Sequence, residues 1–361
     1  MFFCFLFFVT STSSYADKTN GAYSDETLLP SLIKSVRFSE PLFFCGNKIP
    51  VDRQDVRERL EKEVLLTLWD RPQVILWIKR ASKFFPHMEK ILNQAALPDD
   101  LKYVAVIESS LRPHASSHKG AVGYWQFLRS TGRMYGLKIN HKIDERRNLL
   151  KSTEAACRYL QELYRQFDDW FLAAAAYNMG EKRLKNEMKI QGIDDYYSLY
   201  LSEETQRYIF RILAAKFVME NYSIFGFAFQ AQDFYPLFEF DEISINSPRQ
   251  LPISLIAKSA GVSFKTIKDM NPELRGYHLA SGKNTIAVPK GLIYQFEARF
   301  DDYYAKWQSS DGVDKHTVQP GENLALIAKK YNVRLSSLMR WNDLSVKSII
   351  HPGDELIIES Q

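Results

Sequence analysis

From Val51 to about Tyr222 apolar residues recur every three or four positions, the spacing of amphipathic helices. Asp55 to Leu68 carries this pattern, and Pro72 marks a break before Val74 to Phe85. Leu92 to Leu97 ends at Pro98-Asp99-Asp100, a start signal for a helix over Leu101 to Glu108. Period and length predict further helices over Thr153 to Phe167, Trp170 to Asn178 and Thr205 to Tyr222. Between Ser109 and Ile143 the composition shifts to Gly, Ser, His and Lys. A loop of this kind interrupting a helical domain is a frequent place for a site.

The C-terminal third follows a different pattern. Leu255-Ile256-Ala257-Lys258 returns as Leu326-Ile327-Ala328-Lys329, 71 residues later. The same offset carries Val262 onto Val333, Ile267 onto Leu338, Asn271 onto Asn342, Gly282 onto Gly353 and Ile286 onto Ile357. This is an internal repeat of a small unit reading strand, helix, helix, strand. In the second copy Thr317-Val318 is the first strand and Pro320-Gly321-Glu322 the turn. Leu324, Ile327, Ala328 and Tyr331 form one helical stripe, Ser337 to Asn342 a second helix, and Leu356 to Ile358 the closing strand. In the first copy Arg249, Gln250 and Leu251 stand at the turn. Leu292 to Trp307 reads as a helical linker running into Ser309-Ser310-Asp311-Gly312. A repeated small unit points to binding more than to catalysis.

A chain of 361 residues suits two or three domains, and 45% hydrophobic with 25% charged residues is a soluble, globular balance. The formal charge of +4 suits an anionic polymer but is too weak for nucleic acid. Met1 to Val9 is almost wholly apolar, and Ser14-Tyr15-Ala16 places small residues as at a signal-peptidase site. That run is too short for a membrane-spanning helix of about 20 residues. It predicts a secretory leader without its basic first part, and hence export. Cys4 follows Phe2-Phe3, too bulky for a lipoprotein anchor signal. Cys45 and Cys157 either pair in an oxidising compartment or stand as two buried thiols. His114 and His118 are four apart, but Pro113 breaks the helix that would align them, and no third ligand is in view. Phe43-Phe44 and the aromatic stretch Tyr222 to Phe240 read as core and inter-domain packing.

The most informative stretch runs from Leu101 to Tyr135. Its mostly apolar helix ends in Glu108-Ser109-Ser110-Leu111-Arg112-Pro113, and Pro113 is expected to stop it. A carboxylate near a helix C-terminus among apolar neighbours is held toward its neutral, proton-donating form. Gly120-Ala121-Val122-Gly123-Tyr124-Trp125-Gln126-Phe127 follows, then Ser130-Thr131-Gly132, Ala176-Tyr177-Asn178-Met179-Gly180 and Glu204-Thr205-Gln206-Arg207-Tyr208. In this order the set resembles the lysozyme-like lytic transglycosylases, closest to the membrane-bound murein transglycosylase D group, over roughly Val51 to Tyr222. The family's Glu-Ser pair falls on Glu108-Ser109, its Gly-Leu-Met-Gln or Gly-Leu-Trp-Gln motif on Gly123-Tyr124-Trp125-Gln126, its Ala-Tyr-Asn motif on Ala176-Tyr177-Asn178 and its late Tyr on Tyr208. Tyr124 departs from the family's usual Leu. The repeats resemble LysM domains, the second more fully than the first.

The resemblance implies a mainly α, lysozyme-like catalytic domain followed by small α+β (βααβ) LysM-type modules. The expected division is a signal peptide over 1–16, an extension over 17–50 and the transglycosylase domain over 51–230. A degenerate LysM-like module follows over 238–290, a helical linker over 291–313 and a LysM domain over 314–360. It implies cleavage of the MurNAc-GlcNAc bond of peptidoglycan with Glu108 as the single acid and base, without metal or cofactor. Glycosidases ordinarily use two carboxylates. Asp144 and Glu145, beside Arg146 and Arg147, read instead as a helix start with ion pairs. Ser109 and Asn178 are expected to bind the substrate's N-acetyl group or orient Glu108, Tyr208 to orient it from across the cleft, and Gln126 to bind sugar. Core packing is the competing reading of Gln126, Tyr177 and Trp125. Replacing Asn178 with Ala is expected to lower turnover far more than stability, and a fully active variant would remove that assignment. The implied partners are peptidoglycan strands and, at the envelope or periplasm, possible contact with a membrane surface, with no nucleic acid. The competing functions are a goose-type lysozyme-like hydrolase and a catalytically idle wall-binding protein.

Overall fold

The computed structural model describes residues 31–309, 313–345 and 347–359. The expected leader over 1–16, with Cys4, residues 17–30 of the expected extension, and Ser310-Asp311-Gly312 lie outside them. The helical body begins with α1 (Gln54–Trp69), which turns Val56, Leu60, Val64 and Leu68 inward. Asp70 then caps α2 (Arg71–Gln94), its carboxylate accepting from the Gln73 backbone N–H, with Pro72 in the first turn.

The apolar pattern places an end near Phe85, yet α2 runs on through Pro86. Pro86 has no N–H to return to the preceding turn, which weakens the ladder there. The incoming chain uses that face: Phe238 N–H donates to the Lys83 carbonyl (3.1 Å) and the His87 ring meets the Phe238 carbonyl (2.7 Å).

Then come α3 (Lys102–Ser109), the short α4 (Arg129–Met134), α5 (Leu149–Phe167), α6 (Trp170–Met179), α7 (Glu181–Gln191) and α8 (Glu203–Glu220). Side chains of Asn148 and Asp169 cap α5 and α6. The inner helix is α6, where Trp170 to Ala176 are all buried. Helix α1 lies along α8, and α5 packs on both α2 and α6. One continuous apolar core joins them. Cys45 and Cys157 are both free thiols, and burial pushes Cys157 up to about 12.

The first small module pairs β1 (Phe240–Ser247) antiparallel with β2 (Gly282–Pro289) around α9 (Ile253–Ala260) and α10 (Phe264–Met270). The stretch expected as a linker is α11 (Ile293–Ser309), and it packs on this module. Phe296 enters the module's core, and Phe300, Tyr304 and Trp307 continue its stripe. Successive ring contacts run from Phe296 to Trp307. An apolar stripe of that length gains more by burial than by spanning solvent.

The second module pairs β3 (Val313–Thr317) with β4 (Glu355–Glu359) around α12 (Leu324–Lys330) and α13 (Leu335–Trp341). Here the sequence alignment of the repeat slips by one. Ile286 and Val288 are core residues of the first closing strand, and Leu356 and Ile358 are those of the second. The uniform offset matches Ile286 to Ile357, which would turn the strand's core face outward because side chains alternate.

One polar device is shared. Asn271 donates its amide to the Ile267 and Ala287 carbonyls and accepts from Ala287 N–H. Asn342 does the same with Leu338 and Ile357. Asn342→Ala is expected to cost the second module roughly 2–4 kcal/mol, because it strands backbone groups as well as removing bonds. The readout is faster amide exchange across β4 with the helical body unchanged, and unaltered protection there would refute it.

Elsewhere the copies differ in kind. Buried His316 holds Glu322 (2.5 Å) and Tyr331 (3.1 Å) in the second module. The matching positions of the first are Ile245, Leu251 and Ala260, all buried and apolar.

Candidate active site

Helix α3 is short because the chain turns left-handed twice after it, at Ser110 (φ 53°) and Leu111 (φ 58°). Pro113, expected to stop it, lies beyond that turn. Leu111 is fully buried, so packing holds a conformation that Leu ordinarily avoids. Two guanidinium groups cover the carbonyls freed at this end. Arg80 Nη1 donates to Ser110 O (3.0 Å) and Arg112 Nε to Ser109 O (3.2 Å).

Glu108 therefore sits in the last turn of α3, half-buried. Tyr208, buried on α8, donates its hydroxyl to Glu108 Oε1 at 2.6 Å. Burial raises the Glu108 pKa to about 7. The Tyr208 hydrogen bond and the Arg211 charge oppose that rise, and Glu204 adds to it. Near neutral pH the group is thus present in both forms, which suits one side chain that must give a proton and take one back.

The loop after α3 is built from backbone carbonyls and long-range side chains. The Ser109 hydroxyl, buried, lies 2.7 Å from Tyr124 O and 3.0 Å from Ala105 O. These contacts tie the loop to the helix and leave the hydroxyl oxygen's acceptor side for the expected role of binding the N-acetyl group or orienting Glu108. Gln126 has left-handed backbone (φ 48°) and donates its amide to Ala115 O (3.1 Å) and Gly123 O (2.9 Å). Its Oε1 is the atom left for a ligand. Trp125 is a core residue, with its indole N–H on Thr153 Oγ1 (3.0 Å). Tyr124 is buried edge-on against Phe84, with centroids 5.4 Å apart.

Tyr177 and Asn178 end α6 on the same side. Tyr177 donates to Trp125 O (2.6 Å), and its ring lies against Tyr159 and Phe127. Burial and the Glu108 charge together keep its phenol well above the ordinary range. Asn178 Oδ1 accepts from Thr205 Oγ1 (3.0 Å), which joins α6 to the first turn of α8. Glu108, Tyr177 and Tyr208 thus form one cluster. Asn178 is linked to it through α8, and Ser109 and Gln126 frame it through the loop.

Two supports carry no signal in the sequence. Arg146 is buried, pairs both oxygens of Asp144 (2.8 Å each), and donates Nη1 to Gly120 O (2.9 Å) and Phe127 O (3.0 Å). The expected ion pairs exist, with Lys151 on Glu145 (2.6 Å), but Arg146 also clamps the loop. Arg80 is the other support. Both act on distant backbone carbonyls, which no local motif marks.

The transglycosylase SLT domain family matches residues 87–199, which include Glu108 but not Tyr208. The family described as lytic transglycosylase MltD, LysM-like domain, matches 239–305, and the LysM domain family matches 316–359. Membrane-bound lytic murein transglycosylase D of Escherichia coli (strain K12) is 33% identical over 290 residues, covering 76% of this chain and 63% of that protein. The chain thus spans under two thirds of that relative's length. Peptidoglycan transglycosylase gp16 of Escherichia phage T7 is 36% identical over 118 residues, 32% of this chain and 9% of that one. A putative tributyltin chloride resistance protein of Alteromonas sp. (strain M-1) is 34% identical over 113 residues, 30% of this chain and 55% of that one. Among solved structures, the 70 kDa soluble lytic transglycosylase SLT70 of Escherichia coli aligns at TM-score 0.36 and 18% identity over 50% of this chain and 30% of that one, too partial a likeness to argue from. The chain thus carries, in order, an SLT transglycosylase domain, an MltD-type LysM-like domain and a LysM domain.

Proposed function

We propose that this chain is a lytic transglycosylase of peptidoglycan that cuts the β-1,4 bond between MurNAc and GlcNAc, with Glu108 as its single acid and base. The observation that carries the reading is the Glu108 carboxyl, held near a pKa of 7 and fixed by Tyr208 at 2.6 Å. In the first step neutral Glu108 gives its proton to the glycosidic oxygen, and the bond from that oxygen to C1 of MurNAc breaks. The substrate's own N-acetyl oxygen supports the charge at C1. In the second step the Glu108 carboxylate takes the proton of the MurNAc 6-hydroxyl as that oxygen bonds to C1. A 1,6-anhydro ring closes, Glu108 is neutral again, and no water is consumed.

Tyr208 holds Glu108 in place through both steps. Gln126 Oε1 and the Asn178 amide are the polar groups offered to sugar. Tyr177 and Ser109 act through the loop they fasten. Asp144 and Glu145 are engaged in ion pairs, which supports a mechanism using one carboxylate. The second module binds the glycan and keeps the enzyme on its polymer. The setting that follows is the cell envelope, reached by export. Among the described residues no helix is long and apolar enough to cross a membrane.

The test is digestion of purified peptidoglycan with the full chain, with fragments weighed by mass spectrometry. Fragments lighter by one water than their hydrolytic counterparts are expected. Reducing-end fragments would replace this reading by a hydrolase, and no release would leave a wall-binding protein.

A further inference from the structure

The cavity between the helical body and the first module encloses about 600 Å³ and does not include Glu108. That volume lies within the range of small-ligand sites. Its floor is apolar, with Phe84, Leu111 and Phe238. Arg80, Lys83 and Arg112 line it from the body. Arg80 and Arg112 each give one N–H to the end of α3 and have no carboxylate partner among the described residues. Lys83 meets the rings of Phe84 and Phe238. A guanidinium has five donors, so both arginines keep most of theirs for a ligand. Burial and the neighbouring Arg112 charge hold Arg80 below its ordinary pKa, with Tyr235 opposing the shift.

The module supplies the opposite sign. Glu273, following α10, lines the same cavity and is 4% exposed. Its Oε1 accepts from Asn148 Nδ2 (3.0 Å), whereas its Oε2 is buried without any hydrogen-bond partner among the described residues. An orphaned buried carboxylate oxygen is costly unless something donates to it. The module is fixed here by backbone bonds, Asp144 N–H to Glu273 O and Arg275 N–H to Lys142 O, both 2.8 Å.

We propose that this cavity binds a short zwitterionic peptide, with carboxylates on Arg80, Arg112 and Lys83 and an amine on Glu273 Oε2. Resting on the murein reading above, the peptide is the stem attached to the glycan, which carries several carboxylates and a free amine. The site adjoins the turn that ends α3, so an occupied cavity couples the peptide to the position of Glu108.

The test is calorimetric titration of the full chain with the murein tripeptide N-acetyl-alanyl-γ-glutamyl-diaminopimelate, whose one free amine is that of diaminopimelate. Saturable binding is expected, weakened by salt, with affinity reduced about tenfold or more in Arg112→Ala and in Glu273→Gln. Lys83→Gln, whose side chain makes no hydrogen bond among the described residues, provides a variant that folds normally and is expected to bind less well. Acetylating the peptide's amine is expected to weaken binding to the wild type but not to Glu273→Gln. Absence of binding by the wild type, or unchanged affinity in natively folded variants, would overturn the proposal. Digestion of peptide-free glycan strands by the wild type separates the two readings. Cleavage without peptide binding removes this site alone, and peptide binding without any cleavage removes the proposed activity alone.

Discussion

Replacing Glu108 with Gln is expected to lower release of murein fragments by roughly 10³-fold or more, because in the proposed mechanism one group serves both proton transfers. The variant keeps shape and the capacity to meet Tyr208, but it cannot lose or return a proton. In the wild type the first step needs the neutral acid, so release should fall as pH rises through about 7. Stability is expected to move the other way. Burial raises the folded pKa of Glu108 from 4.5 to about 7. Over that interval the folded state binds more protons than the unfolded one, so each upward step in pH removes stability. Above about 7 the whole penalty is present, and below 4.5 none of it is. Glu108→Gln should therefore be more stable than the wild type at pH 8, by on the order of 1–3 kcal/mol, and equal to it at pH 4. Thermal unfolding at both pH values, beside fragment release, checks the pair of effects. A variant that loses activity and also loses stability at pH 8 would mean that Glu108 is structural.

The second large effect is expected at Gly123, where the backbone is left-handed (φ 87°). A Cβ there would stand 1.8 Å from the Arg146 carbonyl oxygen and 2.5 Å from its carbon. Backbone must move to admit it, and this backbone is held. Arg146 is gripped by Asp144 and in turn grips Gly120 and Phe127, the two sides of the same loop. Clash and strained dihedral together should cost Gly123→Ala roughly 3–6 kcal/mol. For a body of this size that is a fall of about 6–24 °C in melting temperature. Activity should fall with it, since Tyr124 to Gln126 are placed by this turn. An alanine variant that melts with the wild type would show that the loop relaxes freely.

Much of the fold is legible in the amino-acid sequence alone. Helices α1, α6 and α8 lie within two residues of where apolar period puts them, and α5 begins one turn before the expected Thr153, since such signals act over a few residues. Short or polar helices are not legible in this way: α7 buries only Leu184, so its period is faint, and α4 is less than two turns long. Glu108 stands out because its helix end and the ordered motifs around it are local. The repeat is visible as well, but through a uniform offset that a single missing residue in the second copy defeats.

The sequence by itself determined the helical body, the two small modules, Glu108 near a helix end, and the order of the motifs that face it. Only the tertiary structure decided what those motif residues touch. Ser109 and Gln126 look available in sequence, and both spend their protons on loop carbonyls. Helix α11 looks like a linker until Phe296 is seen in the core of the first module. Arg80, Arg112 and Glu273 gain meaning only when α2, the end of α3 and the first module close around one cavity. The physical reason is the same in each case. Periodicity and capping are written in neighbouring residues, whereas a hydrogen bond to a distant carbonyl, or the loss of solvent around a charge, depends on which surfaces the fold brings together.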